Sequence, residues 1–245
     1  MIWDLSIRIF HWLFAVTIIA AYITGENGAL IWHERLGVTA VGLLTYRLIW
    51  GIWGPKHTRF SNMLPSIQAL MNYIVGIFKR MPPLSIGHNP LGALSVFAFI
   101  LVTLALSVTG LFTMDDIIYE APLAYLVPDW SHEITEIHVS LHGIVLPLIG
   151  LHIAAIAIHQ FVFKERLLQR MVFGIDEKEM LQSASAKQPA PTMMSEIEAE
   201  AEAEAEAEAE PNKAVSVKED DVQFIGIMLL GSCISLSWFI LLVLN

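Results

Sequence analysis

A chain of 245 residues that is 55% hydrophobic and only 16% charged, with a mean hydropathy of +0.59, is no soluble domain. This is the composition of a polytopic membrane protein. The formal net charge of −10 belongs to one end: residues 1–175 hold ten Lys or Arg against ten Asp or Glu, and the excess acids all lie in 176–245. The single cysteine, Cys233, excludes an internal disulfide, and the lack of a CxxCH motif excludes covalent c-type haem attachment.

Five apolar runs are long enough to span a bilayer. The first, 7–24, reads as an uncleaved anchor and first helix, because a secretory signal would remove His11. The second, 31–53, follows a connection so short that the two helices must be antiparallel neighbours. The loop 54–90 carries Lys56, Arg59, Lys79 and Arg80 and no acid. Within it, 65–78 has apolar residues at helical spacing and reads as a helix lying on the membrane surface. The third span, 91–114, leads into a loop with Asp115, Asp116, Glu120, Asp129, Glu133 and Glu136 and no Lys or Arg. Its segment 119–130, with Tyr125, suits the outer headgroup level. Lys164, Arg166 and Arg170 follow the fourth span, 137–163. The positive-inside rule then places the N-terminus and loop 54–90 in the cytoplasm and the acidic loop outside.

Residues 171–222 form an acidic linker whose centre, 198–210, alternates Glu and Ala. Period two spreads charge around a helix, and Glu pairs four apart repel, so this is a solvated tether. The fifth span, 224–244, has no His and no acid, ends outside the cell, and reads as a packing or partner helix.

Four histidines share two depths. His11 lies near the inner end of the first span, His33 opens the second on the outer side, and His138 and His152 stand fourteen residues apart on the fourth. Fourteen residues are nearly four helical turns, so both imidazoles point to one face about 21 Å apart along the axis. Ionisable residues inside a membrane are costly and read as functional. Paired by depth, His33 meets His138 and His11 meets His152, one residue from each of two helices. That is what axial ligation of two haem irons, one per leaflet, requires. Gly37, one turn after His33, and Gly150, two residues before His152, would let a flat macrocycle approach the backbone. Arg47 lies about 21 Å deeper than His33, where a haem propionate is a natural bidentate partner, with an interfacial arginine reaching the inner surface as the alternative. Arg8 and Arg35 flank His11 and His33 and are candidates for the inner and outer propionates, with interfacial anchoring as the alternative.

His142, one turn after His138, is the rival outer ligand, although it reads first as packing beside the outer haem or bonding to a neighbour. His159, two turns beyond His152, reads first as an interfacial histidine reaching the surface, with propionate or quinone contact as the alternative. His57, His88 and His132 fall in loops, although His88 has a smaller claim from its place near the inner pair.

Phe10-His11-Trp12, His33-x-x-x-Gly37, Glu136-Ile137-His138 and Gly150-Leu151-His152 resemble the prokaryotic cytochrome b561 family, which includes the b-type subunits of membrane-bound nickel-iron hydrogenases. Arg47-Leu-Ile-Trp-Gly51 and Gly87-His88-Asn89-Pro90-Leu91 add to the resemblance, which covers residues 1–170. It implies an all-α, integral membrane four-helix bundle, two non-covalent haem b groups with bis-His ligation, and electron exchange with quinone in a bacterial inner membrane. The acidic linker and the C-terminal helix 223–245 depart from that pattern. Three functions compete. The first is a cytochrome passing electrons between quinone and a basic redox partner, such as a cytochrome c, docked on the acidic loop. The second is a haem-relay anchor subunit of a larger oxidoreductase such as a hydrogenase. The third is a His-based metal transporter, which the split of the histidines between two depths disfavours.

Overall fold

The computed structural model describes residues 4–79, 89–115, 119–174 and 219–244. The elements in chain order are α1 Leu5–Glu26, α2 Leu30–Trp53, the short α3 Phe60–Met63, α4 Ile67–Phe78, α5 Pro90–Gly110, α6 Ser131–Phe161, α7 Leu167–Phe173 and α8 Glu219–Leu244. Between α5 and α6, β1 Met114–Asp115 pairs antiparallel with β2 Tyr119–Glu120, and two single-turn 3₁₀ helices follow. Five helices (α1, α2, α5, α6 and α8) are long and apolar enough to cross a membrane. The chain is an all-α membrane bundle, and the small hairpin is its one strand pairing among the described residues.

Side-chain caps set several of the starts. Asp4 accepts from the Ser6 N–H at 3.0 Å to open α1, and Ser66 accepts from Ala69 N–H at 3.1 Å to open α4. Asn89 accepts from Gly92 N–H at 2.6 Å, with Pro90 at the first helical position, to open α5. The span expected over 91–114 ends four residues early, because α5 stops at Gly110 and Met114 enters the hairpin. Thr135 of α6 holds that hairpin, with its hydroxyl 3.1 Å from Met114 N and 3.3 Å from Met114 O. α6 runs 31 residues. At 1.5 Å per residue it is about 46 Å long, well beyond the ~30 Å hydrocarbon layer. The surface helix expected over 65–78 is α4, which buries Tyr73 and Gly76 and exposes Ile67, Met71 and Phe78.

The central helix is α2, which packs against α1, α5 and α8. The core cluster joins Ile7 and Phe10 of α1, Leu43, Tyr46 and Trp50 of α2 and Leu230 of α8. So the fifth span is a packing helix within the bundle. It docks through glycines on both sides. A Cβ at Gly42 would fall 2.9 Å from the Cys233 carbonyl and the Ile234 Cα, and one at Gly226 would fall 2.9 Å from the Trp50 ring. Gly226 sits beside Ser6 and Trp50, while Trp238 Nε1 donates to Thr39 Oγ1 at 3.1 Å. α8 therefore runs antiparallel to α2 and ends on the side where α1 ends. At the other end Asp4, only 7% exposed, accepts from Trp50 Nε1 at 3.0 Å, and Tyr46 O–H donates to Ser6 Oγ at 2.7 Å. These bonds satisfy polar groups that would be costly if left unpaired.

Candidate functional site

Both expected histidine pairs are formed, each across two facing helices. The His33 and His138 ring centroids stand 6.0 Å apart at 88°, and those of His11 and His152 stand 6.5 Å apart at 47°. Two metal–imidazole bonds of about 2.0 Å each, together with the half-widths of two rings, come to roughly 6 Å between centroids. The spacing leaves room for one metal atom between the rings and is too wide for direct hydrogen bonding.

Neighbouring carbonyls orient the outer pair. His33 Nδ1 lies 2.8 Å from the Ala21 carbonyl of α1, and His138 Nδ1 lies 3.0 Å from the Leu106 carbonyl and 3.1 Å from Thr109 Oγ1 of α5. A carbonyl only accepts, so each Nδ1 carries the proton and each Nε2 keeps a lone pair for the space between. Two glycines that sequence reasoning passed over hold these rings. A Cβ at Gly25 would lie 3.0 Å from His33 Nδ1, and one at Gly110 would lie 3.0 Å from His138 Cε1. Neither has a sequence signature, since each matters only through a ring on another helix. Gly37 and Gly150 behave oppositely, for a Cβ at either meets nothing within 4 Å. Gly37 lines the same space as His33, His138, His142, Thr103 and Val145.

The inner pair is packed by aromatics. Phe99 meets His152 edge-on at 5.4 Å and Trp12 meets His11 at 5.2 Å. His11 Nδ1 is buried without a hydrogen-bond partner, an orphan that a bound group or water would complete.

The remaining candidates fall into place around these pairs. His142 stacks on Tyr22 at 4.3 Å and lies 3.6 Å from Glu26 Oε1, beside the outer pair rather than across from His33. Arg47 is only 4% exposed, toward the C-terminal end of α2. Its guanidinium donates to the Thr58 carbonyl at 3.3 Å and to Met63 Sδ at 3.4 Å, and lies over the Phe60 ring at 4.4 Å. All three partners are neutral, so this buried cation lacks a counter-charge from them. Arg8 goes elsewhere: it donates to the Met171 and Val172 carbonyls and caps α7. Arg35 lies over its neighbour Trp32 at 5.2 Å. His132 is an exposed residue in the first turn of α6, 3.7 Å from Glu136, and His57 is exposed too. His88, Arg80 and Asp116 lie outside the described residues.

His159 corrects the reading of an interfacial side chain reaching the surface. It is 5% exposed, between Tyr73 and Glu165. At the N-terminal end of α2 Tyr119 contacts Glu34, and burial, with that carboxylate, pushes its phenol up.

The model of the family described as prokaryotic cytochrome b561 matches residues 2–174. The chain belongs to that family. As a cytochrome b561 family member it is a multi-pass membrane b-type cytochrome, and its function is electron transfer in the membrane. The match spans α1 to α7 and leaves α8 beyond it. No curated protein and no solved structure matches the chain. The donor chemistry suits haem b, for each pair offers two imidazoles, and Gly37 lines the space beside His33 and His138. Among the described residues no three of His, Cys, Asp or Glu gather into one metal site. The arrangement is two and two, which disfavours a transporter that would collect its ligands in one place.

Proposed function

We propose that the chain is a di-haem cytochrome that carries electrons between the quinone pool and a redox partner. His33 and His138 hold the outer haem b and His11 and His152 the inner one, with the ring spacings of 6.0 and 6.5 Å as the carrying observation. A bound haem supplies a one-electron couple, and bis-His ligation leaves its iron no open position for oxygen. The protein fixes imidazole orientation through Ala21 and Leu106, keeps the outer space open at Gly37, and surrounds the inner pair with Phe99 and Trp12. Arg47, buried among neutral partners, is the residue to meet an inner propionate. The pairs lie about 21 Å apart along α6, so together they cover most of the ~30 Å hydrocarbon layer.

The charge pattern of the loops supports a cytoplasmic N-terminus and a periplasmic C-terminus. The exposed acids Asp129, Glu133 and Glu136 at the α6 start would then face a basic periplasmic redox protein. The test is a pyridine haemochrome assay on the purified full chain, followed by addition of a short-chain quinol. Two haems per chain and a reduced α-band on quinol addition support the reading. One haem or none, or reduction by dithionite but never by quinol, overturns it.

A further inference from the structure

The middle of α4 and the C-terminal end of α6 meet at a hydrogen-bonded chain of three titratable side chains. Tyr73 Oη lies 3.1 Å from His159 Nε2, and His159 Nδ1 lies 3.1 Å from Glu165 Oε2. The chain has one direction. A carboxylate only accepts, so Nδ1 carries the imidazole proton; Nε2 is then an acceptor, and the Tyr73 hydroxyl donates to it. Exposure rises along the same line: Tyr73 is 2% exposed, the His159 side chain 7% and the Glu165 side chain 20%.

The backbone is bent to make this contact. Lys164 sits in the left-handed region at φ 57°, where a non-glycine residue is strained. The turn folds Glu165 back under the helix, and its N–H donates to the His159 carbonyl at 2.9 Å. A clamp between α4 and α6 needs none of this, since an apolar pair would hold the helices without desolvating an imidazole, a phenol and a carboxylate. Burial, with the Glu165 charge, pushes the Tyr73 phenol up to about 12, so it stays a proton donor at physiological pH. The Asn89 side chain, whose Oδ1 is taken by Gly92 N–H, stands beside the same hydroxyl.

The relation to the inner histidine pair gives the chain its use. His159 follows His152 by seven residues. Seven residues are two turns, so both lie on one face of α6, about 10 Å apart along the axis. We propose that Tyr73, His159 and Glu165 are the proton relay of a quinol-oxidising site at this end of the bundle, between the His152 level and Tyr73. The proposal rests on the quinone reading above and adds where the protons go. Oxidation of one quinol breaks two O–H bonds and yields one quinone, two electrons and two protons. The electrons leave one at a time toward the His11–His152 pair and on to the one-electron acceptor at the far end. Each proton is taken by the relay: Tyr73 passes its own to His159 Nε2, His159 passes the Nδ1 proton to Glu165 and so to the aqueous surface, and Tyr73 is refilled from the quinol. A ring flip of His159 restores the proton facing Glu165 before the second proton follows.

The experiment uses the full chain, loaded with haem, in detergent or proteoliposomes, with decylubiquinol in a stopped-flow spectrometer. Tyr73→Phe and Glu165→Gln keep shape and packing, and His159→Gln removes the imidazole. The relay predicts wild-type haem content and complete dithionite reduction in all three variants. It also predicts quinol-driven reduction about 100-fold slower, the order that general acid–base catalysis contributes. A small weak acid such as formate speeds Glu165→Gln and leaves Tyr73→Phe slow, which a clamp would not produce. Variants that reduce at the wild-type rate, or that lose rate only in proportion to lost haem, overturn the relay alone. A wild-type protein that quinol never reduces overturns the quinone reading, and the relay with it.

Discussion

Gly37→Leu separates a bare bundle from one that closes on a planar group, because the two predict opposite signs. The Cβ built at Gly37 meets no heavy atom within 4 Å, although the residue lines the space between His33 and His138. If only protein occupies that region, the substitution replaces a poor helix former with a good one and stabilises α2 by about 1 kcal/mol. If a macrocycle lies there, the four new carbon atoms intrude on its volume, and overpacking costs about 1–3 kcal/mol. That corresponds to about 5- to 150-fold weaker binding. The assay is the haem-to-protein ratio of the purified variant with its reduced-minus-oxidised spectrum. We expect the ratio to fall from two toward one, with the retained signal then abolished by His11→Ala. A variant that keeps two haems and an unshifted spectrum would refute a haem plane against Gly37.

Three further outcomes follow from other parts of the structure. Gly110→Ala puts a Cβ 3.0 Å from His138 Cε1, so the ring must yield; the outer redox couple should shift while the inner one stays, as read by a spectroscopic redox titration. Gly42→Leu drives into the α8 backbone at Cys233 and Ile234. It should loosen α8 by about 1–3 kcal/mol and raise the labelling rate of Cys233 by a membrane-permeant maleimide; an unchanged rate would contradict the docking. In an ultraviolet pH titration Tyr73→Phe should remove phenolate absorbance that develops near pH 12, since burial beside Glu165 raises that phenol.

Depth along the helices was legible in the sequence because it follows from helix rise. The fourteen-residue spacing on α6, the short α1–α2 connection and the depth of Arg47 are read from residue counts alone, and the structure forms both histidine pairs. Features made between helices were not legible. Gly25 and Gly110 matter only because His33 and His138 arrive from elsewhere, and Gly42 and Gly226 only because α8 returns after the linker to lie on α2 and α1. Period and propensity carry no record of such meetings. His159 was misjudged for a related reason. An imidazole at the inner edge of an apolar helix looks like a side chain reaching for water. The strained turn at Lys164, which brings Glu165 back beneath it, has no glycine to announce it. The hairpin at Met114–Asp115 and Tyr119–Glu120 is too short for any alternation to show, and depends on Thr135 of α6.

The pairing of the four histidines is tested most directly by counting haems in double variants. The account predicts one haem in the within-pair variant His33→Ala/His138→Ala, one in His11→Ala/His152→Ala, and none in the cross-pair variant His11→Ala/His33→Ala. Retention of both haems by His138→Ala, with loss of one on His142→Ala, would contradict the account. So would loss of both haems from a within-pair variant that remains folded.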